Sequence, residues 1–299
     1  MKRVLALLVS VCLLALALAG CGADMRAEVE GLPAAEVQAA TQTVRYIAHR
    51  GLVGEVINGT SVTHGENTIE AFRSAARTPT VWGIETDVWQ TKDGVLVCMH
   101  DKDAVEGIKD VHQADSASVL SAPLKKAAGY YAPTFEAYLE ACRLGGKTAV
   151  VELKDPDMTP ACLDDVMSAI RTSGVDAVVI SFYCDKLFYV REQWPEAQCM
   201  LLYNRNWQRY YRRSCGSSID QEGLLSLAIR NRWGLSVDCQ YLYDHRDEGW
   251  TARFHEAGLT VGVWTVDDVY TAIYAATALG ADYVTTNVDM GTLVAKATA

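Results

Sequence analysis

The feature that most constrains this chain is an alternation. Short apolar runs are followed by stretches with helical spacing, again and again, from Val44 to the end. Nine runs read as strands, at 44–48, 83–88, 95–99, 149–153, 177–182, 198–203, 235–237, 259–264 and 283–286. Several are apolar throughout instead of alternating, as strands covered on both faces are. A series of this kind folds as a mostly parallel sheet with helices packed on it. One junction departs from the rule. Gln90-Thr91-Lys92-Asp93-Gly94 separates the second and third runs, and Asp-Gly marks a tight turn. These two runs are expected to pair through a hairpin. A barrel takes eight strands, so one of the nine is expected to be irregular or an extra edge strand. Residues 101–133 read as polar and irregular, up to a helix start at Pro133-Thr134.

What stands at the ends of these runs is more informative than their number. His49-Arg50, Glu85 and Asp87, His100-Asp101, Glu152 and Lys154, Trp264 and Asn287 all lie at or near strand ends. In a (β/α)8 TIM barrel those ends converge on one mouth. A doubly wound sheet would bind its ligand at a switch point, usually with a Gly-rich loop after the first strand. Gly51 and Gly54 do not make that motif. The expected fold is therefore α/β, a (β/α)8 TIM barrel.

Glu85 and Asp87 are two apart on one strand and so point to the same face. Their flanks, Val81-Trp82-Gly83-Ile84 and Val88-Trp89, are apolar. Carboxylates there need a partner, because burying them alone is costly. Glu152, at the end of a later strand, can join them. An oxygen-only set suits a hard divalent cation, Ca²⁺ or Mg²⁺. Of six histidines, only His49 and His100 end apolar runs. Imidazole titrates near neutrality, so the two fit a general acid and a general base. His64 sits in a Gly- and Ser-containing loop as an uncertain extra, and the others read as structural. Arg50 can grip a phosphate with two hydrogen bonds, and Lys154 adds a point charge. The formal net charge of −10 argues against nucleic acid as a partner.

The start of the chain is a separate matter. Lys2 and Arg3 precede an apolar run from Val4 to Ala19 that ends in Leu18-Ala19-Gly20-Cys21. The length and flanks suit a signal peptide rather than a spanning helix. The end resembles the lipobox of bacterial lipoproteins, with Cys21 as the lipidation site and a membrane anchor as the result. The expected division is a signal over 1–20, a tether or first helix over 21–43, and one domain over 44–299, exported and membrane-anchored. Of nine cysteines, Cys12 leaves with the signal and Cys21 carries the lipid. The remaining seven (Cys98, Cys142, Cys162, Cys184, Cys199, Cys215, Cys239) cannot all pair internally. Cys98, Cys199 and Cys239 lie in strand-like runs and read as small buried hydrophobes. A bridge among the others stays open.

Ile47-Ala48-His49-Arg50-Gly51, then Gly65-Glu66-Asn67-Thr68 and Ala71-Phe72, resemble the opening of the glycerophosphodiester phosphodiesterase family. So do Ile84-Glu85-Thr86-Asp87-Val88, Thr91-Lys92-Asp93-Gly94, His100-Asp101, Val151-Glu152-Leu153-Lys154, Ile180-Ser181-Phe182 and Val263-Trp264-Thr265-Val266. The resemblance spans residues 44–290. It implies a (β/α)8 barrel of the phospholipase C-like phosphodiesterase type, hydrolysing glycerophosphodiesters to sn-glycerol 3-phosphate and an alcohol through a cyclic phosphate. His49 and His100 are then the acid/base pair, in either order. Glu85, Asp87 and Glu152 bind a divalent cation, and Arg50 and Lys154 hold the phosphate. Glu66 and Asn67 order the first loop, Asn67 lies near the substrate, and Trp264 walls the glycerol pocket. Two positions depart from the family pattern. Gly65 stands where a proline is usual, and Thr286-Asn287 replaces Thr-Asp, which leaves no acid at that strand end. The segment from Lys102 to Ala132 is modest, which favours an open mouth. Two other readings remain. One is phospholipase-type cleavage of lysophospholipid or phosphatidylglycerol, favoured by apolar residues such as Trp207, Tyr210 and Tyr211 in a loop at 204–220. The other is a non-catalytic lipoprotein that binds a phosphorylated ligand. The oligomeric state is not legible.

Overall fold

A computed structural model describes residues 25–57, 60–215 and 219–298. Its strands are β1 (Arg45–Ala48), β2 (Gly54–Ile57), β3 (Thr60–Thr63), β4 (Val81–Gln90), β5 (Leu96–Cys98), β6 (Pro123–Leu124), β7 (Ala127–Tyr131), β8 (Thr148–Leu153), β9 (Ala177–Ser181), β10 (Gln198–Tyr203), β11 (Gly234–Asp238), β12 (Val261–Trp264) and β13 (Tyr283–Thr286). Strands β1, β4 and β8–β13 run parallel, and pairing of β1 with both β13 and β4 closes them into an eight-stranded barrel. The ninth expected strand, β5, runs antiparallel to β4 as the extra member of the sheet.

The strands are apolar on both sides because both sides are covered. Ile47, Val150, Val178, Ile180, Met200, Leu202 and Tyr283 form one cluster, and Trp82 and Trp264 pack on it. Residues of opposite parity, such as Ala48, Ile84, Val151, Val179 and Leu201, join the larger core with helix residues such as Phe72, Tyr138 and Ile170. Each buried Leu, Ile or Phe side chain contributes about 1.5–3 kcal/mol. The helices start where the sequence offers a cap. Thr68, Thr134, Thr159, Asp220 and Asp268 each accept a hydrogen bond from a first-turn backbone N–H.

The segment at 101–133 is not irregular. It contains a short turn of helix at Val111–Gln113, a helix at Ser116–Ser121 and the hairpin β6–β7. Its widely spaced apolar residues Val105, Val111, Val119 and Leu124 converge on Trp89, Val97 and Met99 in a small core of their own. No helical or strand period marks residues spaced this way, so the pattern was invisible to a periodicity reading. The segment lines one side of a cavity that reaches His100 at the barrel mouth. Likewise 204–220 is not a plain loop, since Trp207–Ser214 is a helix. A disulfide joins Cys184 to Cys215, and Cys98, Cys142, Cys162, Cys199 and Cys239 are buried.

Residues 25–30 and Ala34–Thr43 are helical, with Met25, Val29 and Val37 buried. The second of these helices packs on the helix at Val269–Thr277. The expected signal segment and Cys21 lie outside the described residues. Among those described, no helix is long and apolar enough to cross a membrane.

Candidate active site

The first turn after β1 places most of the site. Gly51 has a φ of +82°, and a Cβ there would lie 2.7 Å from the Ala71 carbonyl carbon, so only glycine fits. Arg50 and Asn67 both hold a left-handed φ of 54°. Such strain in non-glycine residues collects at functional sites. Here it aims the Arg50 backbone N–H at Glu85 Oε2, 2.8 Å away, while the Asn67 N–H donates to the Arg50 carbonyl at 2.9 Å. The Arg50 guanidinium is held by Glu66 at 2.6 Å and lies 3.6 Å from Asp87.

Glu85 and Asp87 point into the mouth from β4, and Glu152 is the register partner of Asp87 on β8. One oxygen from each of the three lies within 4.8 Å of the others, and all three residues are buried. Burial and the charges of Asp87 and Glu152 push the Glu85 carboxyl well up. Burial likewise pushes Glu152 up to about 7, against the pull of Lys154. Burial would also raise Asp87, but Lys154 and Arg50 outweigh it and hold Asp87 ionised. Three acids thus face two cations. The oxygen-only donors and the uncompensated negative charge fit a hard divalent ion.

Asn67 was expected near the substrate, yet its amide is engaged elsewhere. Its Nδ2 donates to Asp87 Oδ2 at 2.9 Å and its Oδ1 accepts from the Thr86 hydroxyl at 2.7 Å. It braces Asp87 from the loop and also lines a cavity beside the site.

The two histidines follow β1 and β5, the strands that pair with β4 on the edge away from β8. His49 follows β1, and its Nδ1 is 2.9 Å from Asn287 Oδ1. Asn287 Nδ2 donates to Asp267 Oδ2 at 2.7 Å, and the Asn287 backbone N–H donates to Asp267 Oδ1 at 2.7 Å. That fixes the amide with its oxygen toward the imidazole, so Nδ1 carries the proton and Nε2 the lone pair. Asp267 escaped the sequence reading. The available signal was a carboxylate three residues beyond Trp264 in the loop after β12. His100 reaches the mouth because the β4–β5 hairpin doubles back, with Met99 N–H bonded to the Asp87 carbonyl at 3.1 Å. Its Nδ1 lies 2.9 Å from Asp101 Oδ1 and its Nε2 2.9 Å from Lys154 Nζ. Lys154 also lies 3.1 Å from Asp87 and 3.4 Å from Glu152. Burial first, then neighbouring cations, lowers both histidines below their ordinary value.

Trp264 stands opposite. Phe182 stacks on Tyr210 at 4.4 Å and meets Trp264 edge-on at 5.9 Å. Trp264 Nε1 is buried and makes no hydrogen bond among the described residues. The lipid-facing role imagined for the other two aromatics is corrected. Trp207 and Tyr211 are buried in the core against Tyr203. His64 meets Tyr130 edge-on and lines a cavity beside the site. His112, His245 and His255 bond the Gln90 carbonyl, the Tyr241 carbonyl and Asp282, as structural residues do.

Residues 49–289 match the profile described as the glycerophosphoryl diester phosphodiesterase family. A comparison with curated protein sequences finds no match. Solved structures share the fold. A glycerophosphodiester phosphodiesterase from Parabacteroides distasonis is 22% identical, with 86% of this chain and 97% of that one covered and a TM-score of 0.64. One from Thermotoga maritima is 22% identical, with 85% and 98% covered and a TM-score of 0.62. A phosphodiesterase from Oleispira antarctica, in complex with the product sn-glycerol-3-phosphate, is 18% identical, with 86% and 98% covered and a TM-score of 0.67.

Proposed function

Because this chain is an enzyme belonging to the glycerophosphoryl diester phosphodiesterase family, we propose that His49 and His100 drive cation-dependent hydrolysis of a glycerophosphodiester to sn-glycerol 3-phosphate and an alcohol. The observation that carries the reading is two histidines, each with one nitrogen tied back, at the same barrel mouth as three buried carboxylates and two cations. The Oleispira antarctica relative, with that product bound, supports the substrate class.

Glu85, Asp87 and Glu152 would hold Ca²⁺ or Mg²⁺, which supplies positive charge for a phosphoryl oxygen and acidifies a bound hydroxyl. Arg50 and Lys154 bind the remaining phosphate oxygens. Trp264 walls the glycerol, with its indole N–H offered to a hydroxyl. His49 Nε2 takes the proton of the glycerol hydroxyl next to the phosphate. The freed oxygen attacks phosphorus, the bond to the alcohol breaks, and His100 gives the leaving oxygen its proton. Lys154 turns from His100 Nε2 to the phosphate, and Asp101 at Nδ1 steadies the imidazolium. Water then opens the cyclic ester with the two histidines in exchanged roles. Attachment to a membrane through lipidated Cys21 rests on Leu18-Ala19-Gly20-Cys21, and mass spectrometry of the N-terminal peptide tests it.

The test is release of sn-glycerol 3-phosphate from glycerophosphocholine and glycerophosphoethanolamine with Ca²⁺, Mg²⁺ or chelator. Release should require the cation. His49→Ala and His100→Ala should each lower kcat about 10²–10⁴-fold without loss of fold. No release from either ester with either cation overturns the reading.

A further inference from the structure

A cavity of about 510 Å³ opens beside the site on the His100 side, between the loop that carries Asn67 and the hairpin β6–β7. Its size is that of a small-molecule pocket. It meets the site at His100 and Asn67, while His49 and Trp264 do not line it. Its wall is largely hydrocarbon, from Val53, Met99, Ala104, Leu124, Ala127 and Tyr130. The Tyr130 hydroxyl donates to the Thr63 carbonyl at 3.1 Å. Every carboxylate on the rim already has a cation. Asp103 pairs with Lys125 at 3.1 Å, Asp101 with Lys126 at 3.2 Å, and Glu66 with Arg50 at 2.6 Å.

We propose that this cavity receives the leaving alcohol, and that it selects an uncharged alcohol with a hydrocarbon body. The inference rests on reading the site as a glycerophosphodiesterase. A diester centred on the carboxylates has two arms. The aromatic wall of Phe182, Tyr210 and Trp264 takes one, and the cavity is placed for the other, next to the histidine that protonates the leaving oxygen. An ammonium or carboxylate on that arm would lose its water and find no unpaired counter-charge. Each methylene, in contrast, leaves water for apolar wall, which is about a fourfold gain in kcat/KM.

The experiment is a ladder of glycerophosphodiesters of methanol, ethanol, propanol and butanol, with glycerophosphocholine and glycerophosphoserine beside them, all at saturating divalent cation. The expected result is a three- to fourfold rise in kcat/KM per methylene, with the choline and serine esters at least tenfold below the butyl ester. Ala104→Phe, which fills the cavity, should bring the butyl-to-methyl ratio toward one. A flat ladder, a choline ester ahead of butyl, or an unchanged ratio in Ala104→Phe overturns the pocket assignment while hydrolysis itself stands. No hydrolysis of any ester overturns the underlying reading and the pocket with it.

Discussion

At the scale of single residues, the site depends on polar groups that can point only one way. Asn287 stands where its family usually has an acid, and the negative charge has moved one step back to Asp267. An amide pinned by that carboxylate accepts from His49 Nδ1 without adding a charge beside it. The hydrogen bond to Asn287 raises the His49 pKa, while burial and Arg50 lower it by more. The base form of His49 is lost as pH falls through a value below the ordinary ~6.5 of histidine. The acid limb of kcat/KM should therefore lie below that value. Asn287→Ala removes the raising influence, so the limb should move to still lower pH while kcat falls about 10- to 100-fold with KM little changed. Asn287→Asp places a charge beside the ring and should move the limb upward. A mere packing defect would shift neither limb, so pH–rate profiles of the two variants decide the matter. His49 and His100 stood out because they end apolar runs, and Glu85, Asp87 and Glu152 because they interrupt apolar strands. Asp267 was not, because it lies in a polar loop where one more carboxylate carries no signal.

At the scale of elements, the aromatic wall is held by a bridge between two helices. Cys184 opens the helix at Cys184–Gln193 after β9, and Cys215 caps the helix at Trp207–Ser214 after β10. Between them, Tyr210 stacks on Phe182 at the mouth. A loop of this length gives a disulfide about 3–4 kcal/mol of stabilisation. Reduction, or Cys184→Ser with Cys215→Ser, should lower Tm on the order of 5–10 °C. It should also raise KM more than it lowers kcat, because the wall binds glycerol but moves no proton. An unchanged KM in the reduced enzyme would separate the bridge from the wall. Sequence reading could not choose this pair, since pairing depends on helices whose approach only the fold defines. The same limit explains the hairpin β2–β3 and the segment at 101–133. Strands such as Gln198–Tyr203 and Tyr283–Thr286 were readable to the residue because burial on both faces makes them compact runs, buried throughout except at Gln198. Elements that bury one residue here and one there leave no period to read.

At the scale of the whole molecule, the mouth of the barrel stores repulsion that the rest of the fold must hold. Pairing of β4 with β8 brings Glu85, Asp87 and Glu152 together regardless of their charge. Burial and mutual repulsion raise the folded pKa of Glu85, and raise that of Glu152 to about 7, above the ~4.3 of an unfolded glutamate. A carboxyl raised in this way is held more readily as the neutral acid in the fold. Its contribution to stability is full below the unfolded value and declines as pH rises toward the folded one. With chelator present, Tm should therefore fall between about pH 5 and pH 8. A divalent cation reverses the sign, because it binds the folded carboxylates and competes with protons for them. At one hundred times its dissociation constant it adds about 2.7 kcal/mol, or roughly 5–10 °C in Tm for a domain of this size. That gain should shrink as pH is lowered from 8 to 6. Glu152→Gln removes one of the repelling charges, so its Tm in chelator at pH 8 should rise above that of the unaltered chain, while both the cation-dependent gain and turnover collapse. Calorimetry across pH, with and without Ca²⁺ or Mg²⁺, distinguishes this from a passive acidic cluster, for which chelator would leave Tm unmoved and Glu152→Gln would bring no gain. If the prediction holds, Glu85 and Glu152, two of the three carboxylates proposed to hold the cation, are the ones that make the barrel less stable when it is empty.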